Sequence, residues 1–264
     1  MKILIPTDYS VNALHAFNYT LNLLSNNLHE FIFLNIQNVR HAGAIITMDV
    51  NEDLVKHSQK RMKKLISEIK SQNPELKIEG HVTAGTFVES VIEKVTEFGV
   101  DLVTMGTKGA GGIKGKLMGS NTSNLIGHCT APLIVVPENT IIENPRRALL
   151  AVDFVKDPIP ETYDILLDIC YSHSTFLNII HVLQPNEKHF NQKDIPFNTE
   201  GLEYNLIEQI DTDVEHAIID FVSKNSINLI GIVKSKGGFI HNLFHSSLTK
   251  KLGMHTASPL LVMV

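Results

Sequence analysis

Glycine residues are concentrated in one short segment of the chain. The segment 105–122 reads MGTKGAGGIKGKLMGSNT and holds six of the 16 glycines, together with three lysines and a Ser/Asn/Thr tail. Glycines let main-chain N–H groups approach an anion without a Cβ atom in the way, and the start of a helix favours negative charge. The segment is therefore either a phosphate-binding loop or a flexible surface segment.

Two familiar phosphate motifs do not fit this segment. A Walker A loop ends in Gly-Lys-Ser/Thr, but GKL at 115–117 lacks the hydroxyl, and Ala110 stands where its first glycine is required. The Rossmann motif G-x-G-x-x-G fails because Lys114 occupies its third glycine position. The spacing that remains is Gly106, two residues, Gly109, nine residues, Gly119 and then Ser120.

The surrounding sequence predicts the elements that would hold this segment. Short apolar runs alternate with helical patterns, which indicates βαβ units and a parallel sheet covered on both faces. The predicted strands of the first half are 2–8, 31–36, 77–85, 100–106 and 131–137. Ser10 is a predicted helix N-cap, and TFVE at 86–89 is a capping box that opens another helix. Gly106 thus closes a strand, and Gly119 with Ser120 opens a helix.

The second half of the chain repeats the first. RALLAVDF at 147–154 matches KILIPTDY at 2–9, with Asp153 at the place of Asp8. Further matches are LNIIHV with FIFLNI, VEHAIIDFVSKNSINLIGIV with FVESVIEKVTEFGVDLVTMG, and SPLLVMV with APLIVVP. A repeat at so long a period marks a duplicated domain rather than a solenoid.

The two copies differ in length. The offset between them is about 146 residues near their starts and about 127 near their ends, so the second copy lacks about 19 residues after its second strand. At that place the first copy has the long helical pattern 51–72, whereas 183–201 contains two prolines and no period. We predict two domains, 1–140 and 146–264, joined by a linker at 137–145, with most of the second helix missing from the second domain.

Composition excludes several classes of function. The net charge of −5 argues against a general nucleic-acid binder, which would be basic. Cys129 and Cys170 are too few for a disulfide framework and fit a reducing compartment as buried apolar residues. No stretch approaches the roughly 18 uninterrupted apolar residues of a membrane span. We expect a cytoplasmic protein that binds a small molecule or another protein.

The glycine spacing, together with PTD at 6–8, resembles the universal stress protein family, whose nucleotide-binding members carry G-x2-G-x9-G-(S/T) between the fourth strand and the fourth helix. The resemblance covers the whole chain as two tandem domains. It implies that each domain is an open five-stranded parallel sheet of order 3-2-1-4-5 with helices on both faces. It also implies ATP across the ends of strands 1 and 4, in agreement with the rule that ligands of open α/β sheets bind at a topological switch point.

The resemblance implies a role for each matching residue. Pro6 and Asp8 would flank the adenosine, Ile36 would offer main-chain groups to the adenine, and Met105 would pack beside it. The full site implied for ATP or another adenine nucleotide is Pro6, Thr7, Asp8, Ile36, Met105, Gly106, Thr107, Gly109, Gly119, Ser120, Asn121 and Thr122. A divalent metal such as magnesium would ride on the phosphates. No histidine is proposed as a metal ligand, and no H-E-x-x-H motif occurs.

Some of these residues also have simpler interpretations. Without the glycines, Asp8 alone is equally well explained as a charge partner of a helix start. The loop lysines Lys108, Lys114 and Lys116 can neutralise phosphate, but a loop lysine is more often only solvated.

The second copy departs from the glycine pattern. Alignment puts Val233 at the place of Gly106, Lys236 at that of Gly109 and Ser246 at that of Gly119, whereas Asp153, Ser247 and Thr249 keep the types of their counterparts. We therefore predict that the second domain binds ATP weakly or not at all, with Lys234 and Lys236 as candidates for some other anion. Family members pair through their last strands, so the resemblance implies that PLIVVP and PLLVMV pair within this chain. A homodimer of two such chains is a further alternative.

Three functions remain in view. The leading one is an ATP-binding regulatory protein of the stress response, with the second domain as intramolecular partner and with unknown protein partners. The second is an enzyme, a slow ATP hydrolase or an autophosphorylating protein, with Asp8 as base or metal ligand; no catalytic residue is assigned, since no general base is identifiable beside the glycines. The third is an interaction module that needs no nucleotide.

Overall fold

The structure is a computed structural model in which the chain forms two compact units. It describes residues 1–24, 29–38, 47–108, 119–152, 160–183, 189, 195–211, 213–234 and 257–264. The first unit comprises Met1–Leu21 and Ser25–Leu133, and the second comprises Asn22–Leu24 and Ile134–Val264. This division falls within the predicted strand 131–137, so the limits 1–140 and 146–264 stay a prediction.

The first unit is built on parallel strands. They are β1 (Lys2–Pro6), β2 (Glu30–Gln37), β3 (Lys77–Ala84) and β4 (Leu102–Gly106), in the order β3-β2-β1-β4. Each of the three pairings is parallel. The next strand, β5 (Leu133–Val136), begins beside β4, because the Val103 N–H donates to the carbonyl of the preceding Pro132 at 2.8 Å. The predicted order of strands 3, 2, 1 and 4 is confirmed.

Helices connect these strands. They are α1 (Val11–Leu23), α2 (Thr47–Gln72), α3 (Phe87–Phe98) and α4 (Ser120–His128). The central strands are apolar on both faces, as parallel strands covered on both sides must be, and Ile3, Leu4, Phe33 and Leu34 have no exposed surface. Helix α2 contains the range 51–72, so the long helix predicted there is confirmed.

The helix starts follow the capping residues that the sequence contains. The Ser10 hydroxyl accepts from the Ala13 N–H at 3.3 Å, as an N-cap does. Thr86 is the N-cap of α3, but its hydroxyl donates to the Glu89 carboxylate instead of accepting from the helix backbone. The TFVE motif therefore marks the helix start correctly without forming the hydrogen bonds of a capping box.

The second unit repeats the strand order of the first. Its strands are β6 (Arg147–Val152), β7 (Phe176–Leu183), β8 (Tyr204–Ile210), β9 (Leu229–Val233) and β10 (Leu260–Met263), in the order β10-β9-β6-β7-β8 with parallel pairing. Read from the other end, this order is strand 3, 2, 1, 4 and 5 of the repeat, as expected. Helix α5 (Asp164–His173) follows a short 3₁₀ turn at Pro160–Tyr163, and α6 (Val214–Lys224) precedes β9.

The two copies differ where the offset predicts. Strands β2 and β7 begin at residues 30 and 176, whereas β3 and β8 begin at 77 and 204, so the loss falls between the second and third strands. The described residues between β7 and β8, which are 189 and 195–203, contain no helix. Both cysteines are buried, as expected. The shortened second copy is therefore confirmed for the described part of the chain.

Candidate functional site

The residue after β1 is fixed by hydrogen bonds from the neighbouring strand. The Thr7 N–H donates to the Leu34 carbonyl at 2.8 Å, which continues the pairing of β1 with β2 by one residue. The Asn35 side-chain amide donates to the Thr7 carbonyl at 2.7 Å. Thr7 and Asn35 are both buried, with 7% and 4% of their surface exposed. The chain therefore leaves the sheet from an anchored point.

The turn from Thr7 to Ser10 is held by its own side chains. The Thr7 hydroxyl accepts from the Tyr9 N–H at 3.0 Å, and the Asp8 carboxylate accepts from the Ser10 N–H at 3.0 Å. Such local bonds from Thr and Asp to the main chain are typical of tight turns. The predicted site residue Asp8 is half-buried in this turn, and one of its oxygens shapes the turn.

Tyr9 has a left-handed backbone and reaches across to helix α2. Its φ is 63°, which is uncommon for an aromatic residue. The phenol hydroxyl donates to the Ser58 carbonyl at 2.9 Å, and the Arg61 guanidinium carbon lies 4.3 Å from the centre of the ring. Partial burial raises the pKa of the Tyr9 phenol, and the bond to Ser58 and the charge of Arg61 oppose this rise in part. The phenol is therefore neutral at ordinary pH and acts as a donor.

A buried polar network links α2 to the end of β2. The Ser58 hydroxyl donates to the Asn35 side-chain oxygen at 2.7 Å, and the Gln37 amide donates to the same oxygen. Ser58 has only 3% of its surface exposed. Buried polar atoms are tolerated when they are hydrogen-bonded. The Asn35 oxygen is satisfied in this way, because it accepts from both Ser58 and Gln37.

The end of β4 packs closely against the start of α1. Gly106 is the last residue of β4, and a Cβ atom added to it would lie 3.1 Å from the Asn12 carbonyl oxygen. The Asn12 side-chain amide also donates to the Lys108 carbonyl at 3.5 Å. A side chain at Gly106 would therefore crowd the start of α1, so the packing of the described residues favours glycine here.

Gly119 begins α4 in an ordinary backbone conformation. It is the N-cap, with φ −71° and ψ 155°, and its N–H donates to the Thr107 carbonyl at 2.7 Å. Among the described residues, the atom nearest to a Cβ atom added here is that same carbonyl oxygen, at 3.4 Å, which is ordinary contact. The described surroundings therefore do not require glycine at this position.

The start of α4 presents main-chain donors. Because Gly119 has no side chain, it cannot cap the N–H groups of Ser120, Asn121 and Thr122, and the helix dipole adds positive charge there. Ser120 and Asn121 are exposed. Thr122 is buried, and its hydroxyl donates to the Gly106 carbonyl at 3.1 Å. The Thr122 hydroxyl therefore serves the fold in this structure, and only its N–H is left for a ligand.

Several of the predicted site residues that the structure describes lie at one edge of the first unit. Strands β1 and β4 are neighbours, with Ile3 opposite Leu102, and both run in the same direction, so Pro6 and Gly106 end them on the same side. Ile36 is half-buried near the end of β2. Pro6, Met105 and Thr107 are buried, with 7% of the surface of Met105 and 3% of that of Thr107 exposed. Asp8, Ser120 and Asn121 are the members with open side chains.

Several predicted residues lie outside the described part of the chain. They are Gly109, Lys114 and Lys116 in the first half, and Asp153, Lys236, Ser246, Ser247 and Thr249 in the second. Val233 is described: it ends β9 as Gly106 ends β4, and its side chain is fully buried. The equivalence of these two positions supports the alignment of the two copies.

Sequence reasoning did not single out Tyr9, Asn35, Ser58 or Asn12. Asn35 gave a detectable signal, because it is a polar residue near the end of an otherwise apolar strand. Ser58 and Asn12 are ordinary polar residues of helices, and nothing in their spacing connects them with the glycines.

Two repeats of one open parallel sheet, with glycines at the ends of neighbouring strands in the first, define an α/β protein of duplicated domains. The family model of the universal stress protein family matches residues 1–137, which is half of the chain, so the chain belongs to the universal stress protein family. It is 24% identical over 151 residues to Universal stress protein MJ0577 of Methanocaldococcus jannaschii, covering 51% of this chain and 93% of that protein.

Solved structures resemble both halves. A universal stress protein from Archaeoglobus fulgidus is 20% identical and has a TM-score of 0.73, covering 99% of this chain and 95% of that one. The functionally unknown protein PA1789 from Pseudomonas aeruginosa is 12% identical and has a TM-score of 0.63, covering 99% of this chain and 91% of that one. At such identities these likenesses concern the fold, and they extend it to the second unit.

Among the described residues, no three His, Cys, Asp or Glu side chains lie together in a way that could hold a metal ion. Within the same residues, no helix combines the length and the apolar character needed to cross a membrane.

Proposed function

We propose that the first unit binds an adenine nucleotide, ATP in the first place, and that the protein acts as a regulatory protein of the stress response. The observation that carries this proposal is Gly119. Its backbone is one that any residue can adopt, and the described residues around it leave ordinary contact for a Cβ atom, so they give no reason for a glycine here. A phosphate group held against the start of α4 would supply a reason, because a Cβ atom would stand between it and the main-chain donors.

The proposed ligand fits the groups that surround the site. The N–H groups of Ser120, Asn121 and Thr122 would bind phosphate oxygens, and Asp8, at the end of β1, would bind the ribose. Ile36 and Met105 would contact the adenine near the ends of β2 and β4. Thr107 would hold the chain at Gly119 through the hydrogen bond already present. Family membership supports the same assignment, with Pro6, Thr7 and Gly109 completing it.

A divalent metal would enter with the nucleotide rather than by itself. The described residues offer no cluster of three metal-ligating side chains, and the donors at the start of α4 are N–H groups, which bind anions. Magnesium would therefore be carried by the phosphates, as is usual for this ion.

The second unit would serve as partner rather than as a second site. Val233 is buried at the position of Gly106, so a side chain fills the place where the first unit has none. The sheet of the second unit forms in the same strand order nonetheless. We propose that it completes an intramolecular pseudo-dimer through the last strands, in a cytoplasmic protein whose nucleotide occupancy is read by protein partners.

Variants of two glycines in one helix test the proposed binding. We expect native mass spectrometry of the purified chain with ATP to show a bound adenine nucleotide, and Gly119→Val to abolish it. Gly127→Ala is the matched control, because Gly127 is exposed in the same helix and a Cβ atom there would contact nothing. Loss of binding in both variants, or in neither, would contradict the assignment of the phosphate site to the start of α4.

A further inference from the structure

The left-handed backbone of Tyr9 is not explained by the end of a helix. Among the described residues, the other non-glycine residues with positive φ are Ser174 and Ser226, which follow α5 and α6. Tyr9 instead lies in the turn next to the proposed site residue Asp8. A residue with a side chain pays a strain energy in this conformation and keeps it only when its surroundings hold it there.

Helix α2 supplies what holds Tyr9. The phenol donates to the Ser58 carbonyl at 2.9 Å, and the Arg61 guanidinium carbon lies 4.3 Å from the ring centre. The Ser58 hydroxyl in turn donates to Asn35, whose amide donates to the Thr7 carbonyl. We call Tyr9, Ser58, Arg61 and Asn35 the Tyr9 clamp. It fixes the turn on both sides of Asp8, at Thr7 and at Tyr9.

The second copy shows that the fold does not need this clamp. Val152 and Phe154 stand at the places of Thr7 and Tyr9, and the described residues between β7 and β8 form no counterpart of α2. One link survives: His181 stands at the place of Asn35, and its Nδ1 lies 3.1 Å from the Val152 carbonyl. The parallel sheet thus forms in the second copy without counterparts of the Tyr9 and Ser58 hydroxyls among the described residues. The first copy has both the Tyr9 hydroxyl and the three glycines of the motif. The second copy has Phe154 at the place of Tyr9 and lacks all three of those glycines.

We infer that Tyr9 is a positioning residue for the nucleotide: held by α2, it keeps the Thr7–Ser10 turn in the form that presents Asp8 to the ligand. This inference rests on the proposed nucleotide binding. The inference also gives α2 a role in the site. A ligand that binds this form of the turn also favours the position of α2 in which Ser58 and Arg61 contact Tyr9.

Two substitutions separate positioning from packing. Tyr9→Ala and Tyr9→Gly remove the same contacts with α2, but only alanine keeps the strain of a left-handed backbone. We expect Tyr9→Ala to weaken ATP binding about tenfold, which corresponds to the strain of one such residue. Tyr9→Gly should bind close to the wild-type value. Tyr9→Phe, which removes only the hydroxyl, should fall between wild type and Tyr9→Ala.

Calorimetry of ATP binding and amide hydrogen exchange of the ligand-free protein are the two measurements. Exchange of the Ser10 N–H, which donates to Asp8, should be faster in Tyr9→Ala than in Tyr9→Gly. Equal affinities in the alanine and glycine variants, or equal exchange, would overturn the inference. If wild type bound no adenine nucleotide, the proposed function would fail, while the exchange measurement would still decide whether the clamp sets the turn.

Discussion

Gly106 ends β4 and Gly119 precedes α4, and the two glycines differ in what packs against them. A Cβ atom on Gly106 would press on the Asn12 carbonyl oxygen at 3.1 Å, whereas one on Gly119 would make only ordinary contact. From sequence, both appeared as members of one phosphate motif. The difference depends on what packs against each residue, which the spacing of glycines does not encode.

A pair of alanine substitutions measures this difference. Gly106→Ala should lower the free energy of unfolding by about 1 to 3 kcal/mol, because the start of α1 must shift. Gly119→Ala should change it by less than about 1 kcal/mol, since its backbone suits alanine and only a moderate N-cap preference is lost. Urea denaturation of the ligand-free variants decides; a loss at Gly119 as large as that at Gly106 would contradict our interpretation.

Tyr19 carries a buried hydroxyl that has no hydrogen-bond partner among the described residues. Burial strongly raises the pKa of its phenol. Because the folded-state pKa lies above that of the unfolded chain, the stability due to the neutral phenol is complete below about pH 10 and is lost as the pH rises further. Both properties follow from the position of Tyr19 in α1, where it has 2% of its surface exposed.

Replacing Tyr19 with phenylalanine removes the hydroxyl and keeps the ring. We expect Tyr19→Phe to be neutral or to stabilise the protein by up to about 1 kcal/mol, because an unpaired buried hydroxyl is costly. The variant should also lose less stability than wild type between about pH 8 and about pH 11. Denaturation at both pH values is the measurement. A clear loss of stability at neutral pH would mean that the hydroxyl has a partner.

Among the elements, strands and helix starts were the most predictable part of the chain. The apolar runs gave every strand of the first unit to within a few residues, and Ser10 and Thr86 marked the starts of α1 and α3. The turn after β1 was not predictable. Tyr9 in this turn contacts Ser58, 49 residues away in sequence, and such a tertiary contact leaves no periodic pattern.

The end of α3 offers a test at this scale. Gly99 is its C-cap with φ 62°, and a Cβ atom there would contact nothing, so the cost of alanine is purely conformational. Gly99→Ala should destabilise the protein by about 1 kcal/mol. Gly127→Ala is the control, because its exposed position inside α4 should make alanine stabilising by up to about 1 kcal/mol.

Thermal and urea denaturation of these two variants give the comparison. The free energy of unfolding should fall for Gly99→Ala and rise for Gly127→Ala, since the first position needs a left-handed backbone and the second a helical one. Changes of the same sign would mean that the left-handed end of α3 is not maintained in solution.

At the scale of the whole molecule, duplication was readable because the internal matches kept their order. The shortening of the second copy between its second and third strands also followed from the change of offset. Whether the second copy binds a ligand was harder to predict, since it depends on how much space each side chain takes. The buried side chain of Val233 at the position of Gly106 now supports a single nucleotide site, in the first unit.

The stoichiometry of ATP binding tests this account most directly. In isothermal titration calorimetry with ATP up to millimolar concentration, we expect one nucleotide per chain for wild type and for Lys236→Ala, and no binding for Gly119→Val. Two nucleotides per chain, or no binding by the folded wild-type protein, would contradict it.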